Sequence, residues 1–155
     1  MAKDERTLIL IRGPSGVGKT SAGRALAARL GFKFIDEDDV RHSFKGDCLC
    51  EKAFDYAVKQ LNKMTRSGSF VVAGCFIDKR CVETLEPNEV FLLTAKLPTL
   101  LVRNKGMPVG MQMAEKRVRY LHDTMEKLGG EAVIDTEGKS VDQVVDEICV
   151  RRNCA

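Results

Sequence analysis

The residues with the plainest chemical capacity run from Gly13 to Thr20, GPSGVGKT, a match to GxxxxGK[ST] that directly follows the apolar run Thr7 to Ile11, TLILI. A strand, a glycine-rich loop and a helix in that order form a phosphate cradle. Gly13, Gly16 and Gly18 let the backbone bend until consecutive amide N–H groups face one anion, and the helix N-terminus behind them adds positive potential. Lys19 brings a mobile positive charge to the β- and γ-phosphates, and the Thr20 hydroxyl is a hard oxygen suited to Mg²⁺. The chemistry is that of a nucleoside triphosphate site, ATP or GTP. Its candidate contacts are Gly13, Ser15, Gly16, Val17, Gly18, Lys19 and Thr20, with Ser21 beside them.

A second group of reactive residues follows the next apolar stretch, FKFID: Asp36, Glu37, Asp38 and Asp39. In an open parallel sheet the carboxyl ends of the strands line the ligand crevice, so these acids should face the phosphate loop. Asp36 and Asp38, one residue apart, are able to divide two tasks, one holding Mg²⁺ or its waters and the other accepting the proton of an attacking hydroxyl. Acids also suit the N-terminus of a following helix, but four of them exceed what a cap requires. The third apolar strand ends in Gly74 and Cys75, not in the metal-holding aspartate common in nucleotide hydrolases.

Positioning these groups demands a regular frame, and strand and helix patterns alternate throughout, as a parallel sheet with crossover helices requires. A helix is expected from Lys19 to Leu30, stopped by Gly31; a short one from Asp36 to about Phe44; and a longer one from Glu51 to Ser67, where Phe54, Ala57, Val58, Leu61 and Met64 keep a helical period. SFVVAGC reads as strand three, with a short helical piece around Val82 to Leu85, and EVFLLTA as strand four. Pro98 opens the next helix. Another is expected from Met111 to Leu128, with Met111, Met113, Val118, Leu121 and Met125 as core packing; AVIDT follows the Gly129–Gly130 break as strand five, and Ser140 caps a last helix ending near Cys149. No linker, repeat or low-complexity segment divides the 155 residues, so one domain spans 1–155.

Composition narrows the class. The 25 basic and 22 acidic residues, net +3, are interspersed, which argues against a nucleic-acid stripe or a membrane-binding face. The charged opening MAKDER and the short apolar run after it predict neither a signal peptide nor a membrane span, hence a cytoplasmic chain. Six cysteines then read as reduced thiols; Cys48 and Cys50 form a lone CxC, and Cys75, Cys81, Cys149 and Cys154 are scattered without zinc-site spacing.

IDEDDVRHSF, Ile35 to Phe44, resembles the DGDNVRHGL stretch of adenylylsulfate kinases, and its DxD spacing is similar to that of shikimate and gluconate kinases. The resemblance covers nearly the whole chain and implies a small-molecule kinase: α/β, a P-loop NTPase three-layer α/β/α fold with a five-stranded parallel sheet and a short lid at about 104–116. It implies that Asp38 serves as the base, that Asp36 assists Thr20 with Mg²⁺, and that Arg41 contacts the acceptor, with about 36–66 as the acceptor side. CFIDKR, Cys75 to Arg80, resembles the FISPxR turn of adenylylsulfate kinases and makes Arg80 a second acceptor contact. Arg103 falls where such kinases pack an arginine on adenine, Arg117 or Arg119 is placed to act at the lid, and the loop Thr136 to Lys139 edges the base.

The chain also departs from these families. Lys45 to Lys63 carries no DREENxRR-type stretch, and where shikimate kinases place a GGG run and a lid arginine–proline pair it has Gly74–Cys75 and Met107–Pro108. What the resemblances share is transfer of the γ-phosphoryl group of ATP, with Mg²⁺, to a hydroxyl of a small acceptor. A nucleoside or nucleotide kinase, a nucleotide hydrolase and a nucleotide-binding protein without an acceptor are the alternatives. The oligomeric state is left open.

Overall fold

A computed structural model of the chain describes residues 6–128 and 132–153. The Gly129–Gly130 break, Cys154 and all of MAKDER but Arg6 lie outside the described residues.

Strand β1, Leu8–Arg12, is buried over its whole length, which places it at the centre of a sheet. Its side chains alternate as a pleated strand dictates: Ile9 and Ile11 join one apolar cluster, Leu8 and Leu10 the other, on the opposite face. Burying each such side chain stabilises the fold by roughly 1.5–3 kcal/mol. With β2 at Lys33–Asp36, β3 at Phe70–Gly74, β4 at Glu89–Thr94 and β5 at Ala132–Asp135, the sheet runs in the order β2-β3-β1-β4-β5 with every pairing parallel. The register sets Arg12 beside Gly74, and Asp36 beside Ala73, so the ends of β1, β2 and β3 lie along one rim.

Helices cover both faces, as a parallel sheet requires. Helix α1, Lys19–Leu30, and the C-terminal helix α7, Val141–Asn153, lie on one side with Leu26, Val145 and Ile148 in its core. Helix α3, Glu51–Met64, packs against both α2, Glu37–His42, and α4, Lys79–Leu85, with Val58, Leu61 and Leu85 in the opposite core. Helix α5, Leu97–Lys105, has its proline in the first turn, and α6 spans Glu115–Glu126. Ser140 and Gln143 cap α7 reciprocally: the Ser140 hydroxyl accepts from the Gln143 amide at 3.2 Å and the Gln143 side chain from the Ser140 amide at 2.8 Å.

Several expected boundaries move. The long helix ends at Met64 and continues as a 3₁₀ turn, Thr65–Ser67, where the Thr65 hydroxyl donates back to the Leu61 carbonyl at 2.8 Å. The last helix reaches Asn153, past Cys149. The largest difference is α6, expected from Met111 but beginning at Glu115. Met111 sits in a 3₁₀ turn, Val109–Met111, and is 70% exposed, so it is not part of the core. The cause is a side-chain clamp: the Asn104 amide donates to the Met113 carbonyl at 2.7 Å and accepts from the Met113 amide at 2.9 Å, which holds the segment extended. Val118, Leu121 and Met125 are buried as their spacing suggests.

Candidate active site

The phosphate loop joins the end of β1 to α1. Gly16, at φ 85°, and Gly18, at φ 95°, both hold left-handed backbone that a β-carbon would oppose. Val17 is buried between them and anchors the loop, its amide donating to the Pro14 carbonyl at 3.3 Å. The Lys19 ammonium curls back to the Pro14 carbonyl at 3.5 Å, over the concavity, and Ser15 and Ser21 flank the turn.

One carboxylate ties this loop to the acidic cluster. The Thr20 hydroxyl donates to Asp36 Oδ2 at 2.8 Å, while Asp36 Oδ1 accepts the Asp38 amide at 3.0 Å and thereby caps α2. A hydroxyl and a carboxylate in contact, both hard oxygens beside a phosphate cradle, fit the donor set of Mg²⁺, so Thr20 and Asp36 are the residues able to hold it.

Beyond the Asp36 contact, α2 presents an ionic network. Arg41 is only 7% exposed; its Nη2 donates to Asp38 Oδ1 at 2.5 Å, its Nη1 lies 3.4 Å from both Glu37 oxygens, and its guanidinium stacks on the Phe54 ring of α3 at 4.5 Å. Burial pushes the Glu37 carboxyl up to about 7, against the pull of Arg41 and with help from Asp38 and Asp36. Glu37 reaches this depth because β3 ends in Gly74, where a β-carbon would stand 2.9 Å from Glu37 Cβ and 2.7 Å from the Phe76 ring. Phe76, at φ 46°, holds a left-handed turn whose carbonyl accepts from buried Arg12. Arg80 stands at the outer rim, its side chain 80% exposed and held by Asp78 at 2.8 Å; that contact lowers the Asp78 carboxyl, which also caps α4.

On the other flank, Gly16, Val17, Gly18 and Ser21 meet Arg103, Thr136 and Lys139 around a cleft of about 170 Å³. Arg103 Nη1 donates to the Gly16 carbonyl at 3.1 Å, and the Thr136 hydroxyl to the Thr94 carbonyl at 3.0 Å, joining the loop after β5 to β4. Arg117 lies over the Tyr120 ring at 5.4 Å and Arg119 pairs with Glu115 at 2.8 Å, so both engage their own helix.

The structure therefore gathers Lys19, Thr20, Asp36, Asp38 and Arg41 on one rim, brings Arg103 to the loop's far side, and leaves Arg80 at the edge. The sequence names Glu37 only as one of four acids beside the loop and gives no sign of a role for Asn104 or Arg12. The i,i+4 spacing of Glu37 and Arg41 is a legible signal, whereas Phe54 read only as a core position and Arg12 as the residue after an apolar run.

The shikimate kinase family profile matches residues 15–151. A shikimate kinase of Persephonella marina is 30% identical over 160 residues, covering 92% of this chain and 97% of that one. Among solved structures, a gluconokinase from Sinorhizobium meliloti superposes with a TM-score of 0.74 at 18% identity, covering 98% of this chain and 97% of that one. A shikimate kinase from Acinetobacter baumannii in complex with shikimate gives a TM-score of 0.72 at 23% identity, with 97% and 95% covered.

Proposed function

Because the chain belongs to the shikimate kinase family and is an ATP-dependent small-molecule kinase, we propose that it moves the γ-phosphoryl group of ATP to a hydroxyl of a small acceptor bound beside Asp38. The observation that carries this reading is the unbroken chain of contacts from the phosphate loop through Thr20 and Asp36 to the amide of Asp38. It ties the residue that would take the acceptor's proton to the loop that would hold the phosphates.

In this reading the loop amides and Lys19 gather the charge of the phosphoryl group, and Arg103 with the loop Thr136 to Lys139 receives the base. Asp38 orients the acceptor hydroxyl. Its oxygen forms the new bond to the γ-phosphorus, the bond from that phosphorus to the β–γ bridging oxygen breaks, and the hydroxyl proton passes to the Asp38 carboxylate. Thr20 and Asp36 would hold Mg²⁺, which when bound supplies positive charge against the transferring group. Arg41 contributes through Asp38, whose carboxylate it holds in place, and Arg80 borders the acceptor. Closure of the segment 104–116 would keep water from the transferring group.

The test is steady-state ATP turnover with Mg²⁺ against candidate acceptors, with Asp38→Asn in parallel. The variant should bind ATP normally and transfer about two to four powers of ten more slowly, the usual contribution of a positioned base. Full transfer activity in Asp38→Asn would overturn the assignment.

A further inference from the structure

Resting on that reading of the site, we propose that Glu37 is a positioning residue for the transfer step: it fixes the guanidinium of Arg41 and, through that guanidinium, the carboxylate of Asp38. Asp38 stands in the first turn of α2 with its side chain 48% exposed, so the helix alone leaves it free to change rotamer. What restrains it is Arg41, whose Nη2 donates to Asp38 Oδ1 at 2.5 Å. Arg41 has few restraints of its own. Its Nε is buried without a partner among the described residues, its face lies on the Phe54 ring at 4.5 Å, and its Nη1 is met by Glu37, 3.4 Å from each carboxylate oxygen. Take Glu37 away, and the inner end of the guanidinium has only the ring to hold it.

Glu37 suits the task because it is itself walled in. It is 3% exposed, and its Cβ packs so closely on the end of β3 that a methyl group at Gly74 would stand 2.9 Å from it. The Phe76 ring closes the same corner, and the Phe76 carbonyl is held by buried Arg12. Stability does not account for the arrangement. An i,i+4 ion pair supports a helix just as well from the surface, and an apolar pair of similar volume would avoid the cost of taking two charges out of water. Fixed geometry does account for it, since a misplacement of about 1 Å at a reacting group can cost about a hundredfold in rate. The order runs from the sheet outward: Gly74 and Phe76 fix Glu37, Glu37 fixes Arg41, and Arg41 fixes Asp38.

The test is ATP turnover with Mg²⁺ at pH 8, where Glu37 is ionised because burial holds its carboxyl up to about 7. Shikimate and gluconate serve as acceptors, and water where neither stimulates. Glu37→Gln keeps the shape of the side chain and one acceptor oxygen but removes the charge. It should lower kcat by about tenfold, the difference between a charge-assisted and a neutral hydrogen bond, and leave KM for ATP within about twofold. In the Asp38→Asn background the same substitution should change kcat by less than about twofold, because the group it positions is gone. Phe54→Leu removes the other restraint on Arg41 and should lower kcat about threefold, again only while Asp38 is present. Urea unfolding shows that each variant is folded, and Phe54→Leu decides the matter if Glu37→Gln is not. A folded Glu37→Gln with the parent kcat, or one whose loss is repeated in full in Asp38→Asn, would overturn the inference while the kinase reading stands. ATP turnover that no acceptor changes and that Asp38→Asn leaves intact would overturn that reading and the inference with it.

Discussion

Glu37 is the residue at which burial and charge compete most directly. Its carboxyl is held at about 7, above its ordinary 4.5, chiefly by loss of solvent. The folded chain therefore binds this proton more tightly than the unfolded chain does. Its contribution to stability is complete below about 4.5 and is lost as pH rises through about 7. Asp78, Glu115 and Glu137 have lowered values and act on the acid side of that window, so they do not mask it. Urea midpoints measured from pH 5 to 8 should fall across this range, and Glu37→Gln should flatten the slope. At this scale Lys19, Thr20 and the DxD pair were legible because their chemistry is written in residue type and spacing. The pairing of Arg41 with Asp38 was not, because it depends on how deeply α2 settles, and that depth is set by Gly74, thirty-odd residues away.

At the scale of elements, the end of β3 and the start of α6 are the sensitive joints. Gly74→Ala would place a methyl group 2.7 Å from the Phe76 ring and 2.9 Å from Glu37 Cβ, so something must move. Overpacking of this kind costs about 1–3 kcal/mol, and chemical denaturation should show a loss in that range. Asn104 holds both backbone groups of Met113. Asn104→Ala should therefore speed hydrogen exchange at the Met113 amide and expose the segment 106–114 to proteolysis, with a stability loss of about 1–3 kcal/mol for the two orphaned groups. The same contact explains why the helix starts later than its spacing suggests: Met111, Val118 and Met125 recur every seven residues, as one helical face would place them, and the Asn104 clamp on Met113 keeps the first of them outside the helix. The boundaries of α1 and the cap of α7 needed no tertiary information and were legible, since Gly31 and Ser140 act locally.

For the whole molecule, the alternation of apolar strands and amphipathic helices specified the parallel sheet, while the strand order emerges only from packing both faces of β1. No helix among the described residues is long and apolar enough to cross a membrane. A chain whose loop, α2 and α5 converge on one rim should be stabilised globally by nucleotide. ATP with Mg²⁺ at about a hundred times its Kd should add about 2.7 kcal/mol, raising Tm by about 5–10 °C for a chain of this size. Thermal scans should show that shift shrink with a chelator and vanish in Lys19→Ala. Asp36 extends the argument, because its two oxygens serve different masters, Oδ2 the Thr20 hydroxyl and Oδ1 the amide that starts the helix of Asp38. Whatever engages Thr20 changes the partner of one oxygen of the carboxylate whose other oxygen caps α2, so the two flanks are joined through Asp36. Such linkage is reciprocal: the factor by which nucleotide changes the affinity for acceptor is the factor by which acceptor changes the affinity for nucleotide.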